Sequence, residues 1–153
     1  MKKTISIACL LLLILGCTRE KEFNRLTAYV DSVTVEDNTG GEMAKVLLPV
    51  YEPLDSRIPY LLQKSNSVDP REAVTAYLAL TELCSQVESQ PTPEGVVEAA
   101  RIDPASLYKR FESFDRSTLN PHWQKWLDHT HNFMKAAVDS SASRHETPTA
   151  PGE

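Results

Sequence analysis

Residues 69–88, Asp-Pro-Arg-Glu-Ala-Val-Thr-Ala-Tyr-Leu-Ala-Leu-Thr-Glu-Leu-Cys-Ser-Gln-Val-Glu, carry the clearest structural signal in the chain. Ala73, Ala76, Leu80, Leu83 and Val87 recur at intervals of three and four, the period that lines one face of a helix. Val74, Tyr77 and Cys84 widen that stripe, and a face so broad predicts a central helix from Pro70 to about Glu88. Asp69 stands before Pro70 as a helix-capping oxygen, and proline at the first helical position loses no hydrogen bond that the helix needs. Asp69 with Glu72 has capping-box spacing, and Val68 with Ala73 has the spacing of a hydrophobic staple.

The same start signal recurs at Thr92-Pro93, Asp103-Pro104 and Asn120-Pro121. It predicts a short helix over Pro93–Arg101, weakened by Gly95, and another from Pro104 to about Arg116 carrying Leu107, Tyr108, Phe111 and Phe114 on one side. A long last helix runs from Pro121 to about Val138, with Trp123, Trp126, Leu127, Thr130, Phe133, Met134 and Ala137 as its stripe. Toward the N-terminus, Phe23, Leu26, Val30 and Val33 predict a helix over Arg19–Val33, and Thr34–Gly41 reads as a polar loop. A helical period then persists from Met43 to Leu62 across Pro49, Pro53 and Pro59. Interior proline costs about 3 kcal/mol, so the stretch divides. One piece ends near Glu52, kinked at Pro49, and a second follows a cap at Asp55 or Ser56 with Pro59 in its first turn.

Val33-Thr34-Val35 is the nearest approach to a strand, and no internal repeat is visible. The expected fold is all-α: a small irregular helical bundle of about six or seven helical segments in one domain, residues 22–138. Asp139 to Glu153, rich in Ser, Thr, Pro and Ala, is expected to be a disordered tail.

The N-terminus points to a compartment. Lys2 and Lys3 precede a short apolar run, Ala8 to Leu15, which has the form of a secretory signal and is too short to span a bilayer. The run ends in Ile14-Leu15-Gly16-Cys17, which resembles the lipobox of bacterial lipoproteins, although Leu15 is bulkier than the residue often found there. The resemblance covers the first 17 residues. It implies removal of residues 1–16 by cleavage between Gly16 and Cys17, diacylglyceryl attachment to the Cys17 thiol, and acylation of the freed amine. Two or three acyl chains hold a protein stably to a bilayer. Residues 17–21 then form a short lipidated tether. By resemblance to Gram-negative lipoproteins, Thr18 in place of Asp points to the outer membrane, facing the periplasm.

Removing 16 residues leaves 137, enough for one domain. Losing Lys2 and Lys3 leaves 14 basic against 21 acidic residues, a net charge of −7. That balance argues against nucleic acid or anionic lipid as the main partner. Cys84 is the one thiol left free, read as a buried apolar residue rather than a dimer bridge or a nucleophile.

The chemistry-bearing residues do not assemble into a motif. His122 and His129 are seven apart, His131 lies off their face and His145 is in the tail, so the i, i+4 spacing of a helical metal site is missing. Asp128 and His131 have contact spacing, as do the carboxylate pairs Glu94/Glu98 and Glu112/Asp115, but solvated faces of acidic proteins carry many such pairs. Ser106-x-x-Lys109 lacks the companion motifs of a serine acyl-enzyme, and Gly40-Gly41 is followed by no phosphate-loop lysine. No cofactor is expected, and the chain is read as non-catalytic.

The aromatic residues pose the sharper question. Tyr108, Phe111, Phe114, Trp123, Trp126 and Phe133 read first as core; Tyr108, Trp123 and Trp126 are also the candidates for a partner-binding face, with Tyr51 and Tyr60 as its other wall. The leading expectation is thus an envelope lipoprotein, anchored to the bilayer through acylated Cys17, whose bundle binds another envelope protein in an assembly, pilotin-like or immunity-like role. The rival expectations are a ligand pocket or active site near Trp123, Trp126 and His129, and a structural or stress-related lipoprotein without a tight partner.

Overall fold

A computed structural model of the chain describes residues 7–51, 54–89 and 101–145, with side chains described at 18–51, 57–86 and 101–139. Six α-helices lie among the described residues: α1 Ile7–Ser32, α2 Gly40–Tyr51, α3 Leu54–Lys64, α4 Pro70–Ser89, α5 Pro104–Glu112 and α6 Pro121–His145. A 3₁₀ turn, Arg116–Thr118, joins the last two, and no strand occurs among the described residues. The protein is an all-helical bundle.

Helix α4 is its hub, packing against each of the other five helices. Its sequence predicts one broad buried stripe, yet every residue from Ala73 to Thr81 is buried. Burial all round requires that the polar side chains be satisfied within the helix. Thr75 and Thr81 do this by donating to the carbonyls of Arg71 and Tyr77, four residues back, at 2.8 Å each. Around α4 the core gathers Phe23, Leu26 and Val30 of α1, Leu47 and Val50 of α2, Ile58 and Leu61 of α3, Phe111 of α5, and Trp123, Trp126, Leu127 and Met134 of α6.

The described proline starts work as caps. Asp69 Oδ1 accepts from the Arg71 amide at 2.9 Å, Asp103 Oδ1 from Ala105 and Ser106 at 3.1 and 3.2 Å, and Asn120 Oδ1 from Trp123 at 3.0 Å. The rest of the Asp69 signature is corrected. Glu72 turns to Ser67 Oγ (2.6 Å) and Lys64 Nζ (2.9 Å), while the Asp69 amide donates to Ser67 Oγ at 3.2 Å. A capping box therefore does not close, because a lysine on the preceding helix outcompetes the amide for the carboxylate. Val68 does not staple onto Ala73; it is fully solvent-exposed.

Pro49 and Pro59 sit inside α2 and α3, and the division between them falls between Tyr51 and Leu54. Pro59 lies in the second turn of α3 rather than the first, because that helix begins two residues before Ser56. Residues 17–21, read as a tether, are helical within α1, and Glu20 is held by α3. The expected disordered tail is shortened at its start, since α6 runs on through Asp139 to His145. Phe133, placed in the buried stripe, is 46 % exposed. The expected helix over Pro93–Arg101 and the end of the tail, residues 146–153, lie outside the described residues.

Candidate functional site

A helix leaves its last carbonyls without intrahelical partners, and α1 ends against the start of α6. There α6 supplies the missing donors. His122 Nε2 donates to the Val30 carbonyl at 2.6 Å, which requires the hydrogen on that ring nitrogen. Trp126 Nε1 donates to the Val33 carbonyl at 2.9 Å, and Trp123 Nε1 to Asp31 Oδ1 at 2.8 Å. Lys125 Nζ adds an exposed ion pair with Glu36 at 3.0 Å. Asn120 caps α6 and thereby sets the rotation that aims these side chains.

Both tryptophans are 1 % exposed, so they cannot serve as the partner-binding face proposed for them: their rings fill the core and their only donors are engaged inside the fold. Tyr108, the third residue of that set, is half-buried and stacks on His131 with ring centroids 4.1 Å apart. Of the other suggested wall, Tyr51 is buried and donates to the Ala79 carbonyl at 2.9 Å, and Tyr60 packs on α1. The structure therefore scatters these aromatics among four separate contacts instead of gathering them in one groove.

His131 lies where α4, α5 and α6 meet. Its Nδ1 shares a 3.2 Å hydrogen bond with the Tyr77 hydroxyl, and Tyr77 stacks on Phe111 at 3.9 Å. Burial holds the imidazole below its ordinary pKa; of the neighbouring charges, Glu112 and Asp128 work against that shift while Arg116 and Lys135 support it. Burial likewise pushes the Tyr77 phenol up. The pair is a neutral hydrogen bond at neutral pH. Asp128 pairs with Arg116.

A second polar cluster joins α1, α3 and α4. Lys64 Nζ lies 2.9 Å from Glu20 Oε1 and 2.9 Å from Glu72 Oε1, while the Tyr60 hydroxyl donates to Glu20 Oε2 at 2.7 Å. The Lys64 ammonium is also 5.2 Å from the centre of the Phe23 ring. The hydrogen bond from Tyr60 lowers the Glu20 pKa, burial opposing it and Lys64 assisting. Burial pushes the Lys64 ammonium toward neutrality, but the bonds to Glu72 and Glu20 outweigh it and its pKa rises. Arg57 is buried nearby, within the field of Arg19, Tyr60 and Glu22. Sequence reading missed this cluster because its bonded partners lie up to 44 residues apart, and no local spacing announces them.

The backbones of Gly16 and Cys17 lie within α1; their side chains are outside those described. Cys84 is buried and takes part in no disulfide. Asp115 accepts from the Ser117 amide at 3.0 Å and so caps the 3₁₀ turn rather than pairing with Glu112; Glu94 and Glu98 lie outside the described residues. No group of three metal-ligating side chains occurs among the described residues. A 230 Å³ cleft lies between the loop after α1 and the start of α6, lined by Thr34, Val35, Pro121, His122 and Lys125. Ligand pockets usually run from about 300 to 1,000 Å³. The Trp126–His129 neighbourhood suggested for a pocket holds instead an edge-on ring contact at 5.9 Å.

Comparison of the chain with protein-family models, curated proteins and solved structures finds no match. Among the described residues, no helix is long and apolar enough to cross a membrane.

Proposed function

We infer that this chain is a lipid-anchored protein of the bacterial envelope whose helical bundle binds another protein. The observation that carries the reading is the lipobox-like Ile14-Leu15-Gly16-Cys17 running without a break into a helix that is bonded to the bundle from Glu20 onward. A domain so mounted works at the membrane surface. The partner face shifts from the tryptophans to the outer side of α6, where Phe133 is exposed and its ring lies 5.7 Å from that of His129. An exposed aromatic beside a half-buried one suits a binding hot spot.

Two measurements test the reading. Mass analysis of the purified protein should find acyl chains on Cys17 as the first residue, and Cys17→Ser should abolish them. Photo-crosslinking from position 133 in intact cells should then trap one defined envelope protein; capture of abundant porins alone would count against the binding role.

A further inference from the structure

The turn between α3 and α4 puts an apolar side chain where the fold does not need one. Val68 is 103 % exposed, more open to solvent than in an extended reference chain. The turn itself is not loose. The Ser65, Asn66 and Ser67 amides donate to the carbonyls of Leu61, Gln63 and Lys64 at 2.8, 3.0 and 2.9 Å, and Ser67 Oγ is tied to Glu72. Arg110 of α5 braces it from the side, bonded to Asn66 Oδ1 at 2.7 Å and to the Ser65 carbonyl. A braced turn that presents an isolated valine at its tip is built to hold that valine out.

The position of the tip supplies the reason. Lys64, four residues before Val68, grips Glu20, and Glu20 lies three residues beyond Cys17 on the same helix, about 4.5 Å of rise. The turn and the lipid attachment point therefore share one end of the bundle. Charge at that end is matched locally: Lys64 lies between Glu20 and Glu72, and Arg71 pairs with Asp69 at 3.5 Å. Lys21 and Arg25 are exposed on α1 nearby. A tip without net negative charge can approach lipid headgroups despite the acidic balance of the whole chain.

We propose that the α3–α4 turn is a second membrane contact, with Val68 seated in the headgroup region beside the acyl chains on Cys17. The inference rests on the lipoprotein reading for the position of the bilayer. It converts a single point of attachment into two, which fixes the orientation of the bundle on the membrane.

The test uses the full acylated protein in vesicles of phosphatidylethanolamine and phosphatidylglycerol. A polarity-sensitive fluorophore is placed on Val68→Cys or, as a control, on Leu48→Cys in α2, both in a Cys84→Ala background. The label at 68 should be quenched several-fold more by lipids carrying a shallow spin label than the label at 48, and Val68→Asp should leave folding unchanged while making a label at the exposed neighbouring position 63 less quenched. Equal quenching at 68 and 48, or none at 68 on protein shown to be acylated, overturns the proposal alone. Protein without acyl chains sinks both this and the reading it rests on.

Discussion

The indole nitrogen of Trp123 donates to the carboxylate of Asp31 at 2.8 Å, joining residues that stand 92 positions apart. A buried ring thus reaches an exposed carboxylate at the very end of α1. Trp123→Phe keeps most of the ring and removes the donor, and should cost about 1–3 kcal/mol, since hydrogen bonds to charged groups are worth more than neutral ones. Asp31→Ala should cost less on its own, because its position is exposed. Urea unfolding of both single variants and the double variant gives the coupling energy, which should exceed about 0.5 kcal/mol; additive losses would mean that the bond contributes nothing.

Lys64→Met should destabilise the protein by about 1–2 kcal/mol, less than the 3–5 of a fully buried pair, because the Glu20 side chain is 44 % exposed and can rehydrate. The pH dependence has two edges. Glu20 has a lowered folded pKa, so its contribution is present above 4.5 and fades as pH falls through the folded value. Lys64 has a raised one, so its contribution is full below 10.5 and lost above. The difference between parent and variant should therefore be flat between those limits and shrink outside them, as read from melting temperatures across pH.

Acid should loosen the junction of α4, α5 and α6 through His131. Its folded pKa lies below 6.5, so the unfolded chain takes up the proton first and stability falls as pH drops below that value, levelling off beneath the folded pKa. His131→Gln should remove this part of the acid loss while leaving the rest of the profile intact. Superimposable parent and variant curves between neutral pH and pH 5 would reject the assignment.

Thr130 is fully buried, and its hydroxyl has no hydrogen-bond partner. Thr130→Val replaces that hydroxyl with a methyl of similar size, which should raise stability by up to about 1 kcal/mol. The expected sign is opposite to that of most core substitutions, and calorimetry of the folded variant decides it.

Helix identity was legible because capping residues and proline act over four positions, well within the reach of a reading along the chain. Asp103, Asn120 and Asp69 therefore marked their helices correctly, and the run of prolines Pro49, Pro53 and Pro59 announced the divided middle, which falls beside the second of them. What escaped was settled by groups distant in sequence. Glu72 abandoned its own cap for Lys64, a choice that depends on where α3 ends. The tryptophans read first as core and are core; what the sequence could not show was the end of α1, which offered their indoles two acceptors that nothing near residue 123 could reveal. Val68 was read as a staple because spacing cannot show that a turn has rotated a side chain outward.

Helix α1 is fastened at two levels, near its middle to Tyr60 and Lys64 through Glu20 and at its C-terminal end to His122, Trp123 and Trp126 through residues 30–33. A pull applied at Cys17 along the helix axis is then a shear load, shared at once by two clusters of bonds about 15 Å apart. Bonds loaded together resist far more force than bonds peeled one after another. The bundle should therefore resist a pull from a membrane anchor at Cys17 better than a force that lifts α6 sideways off the end of α1.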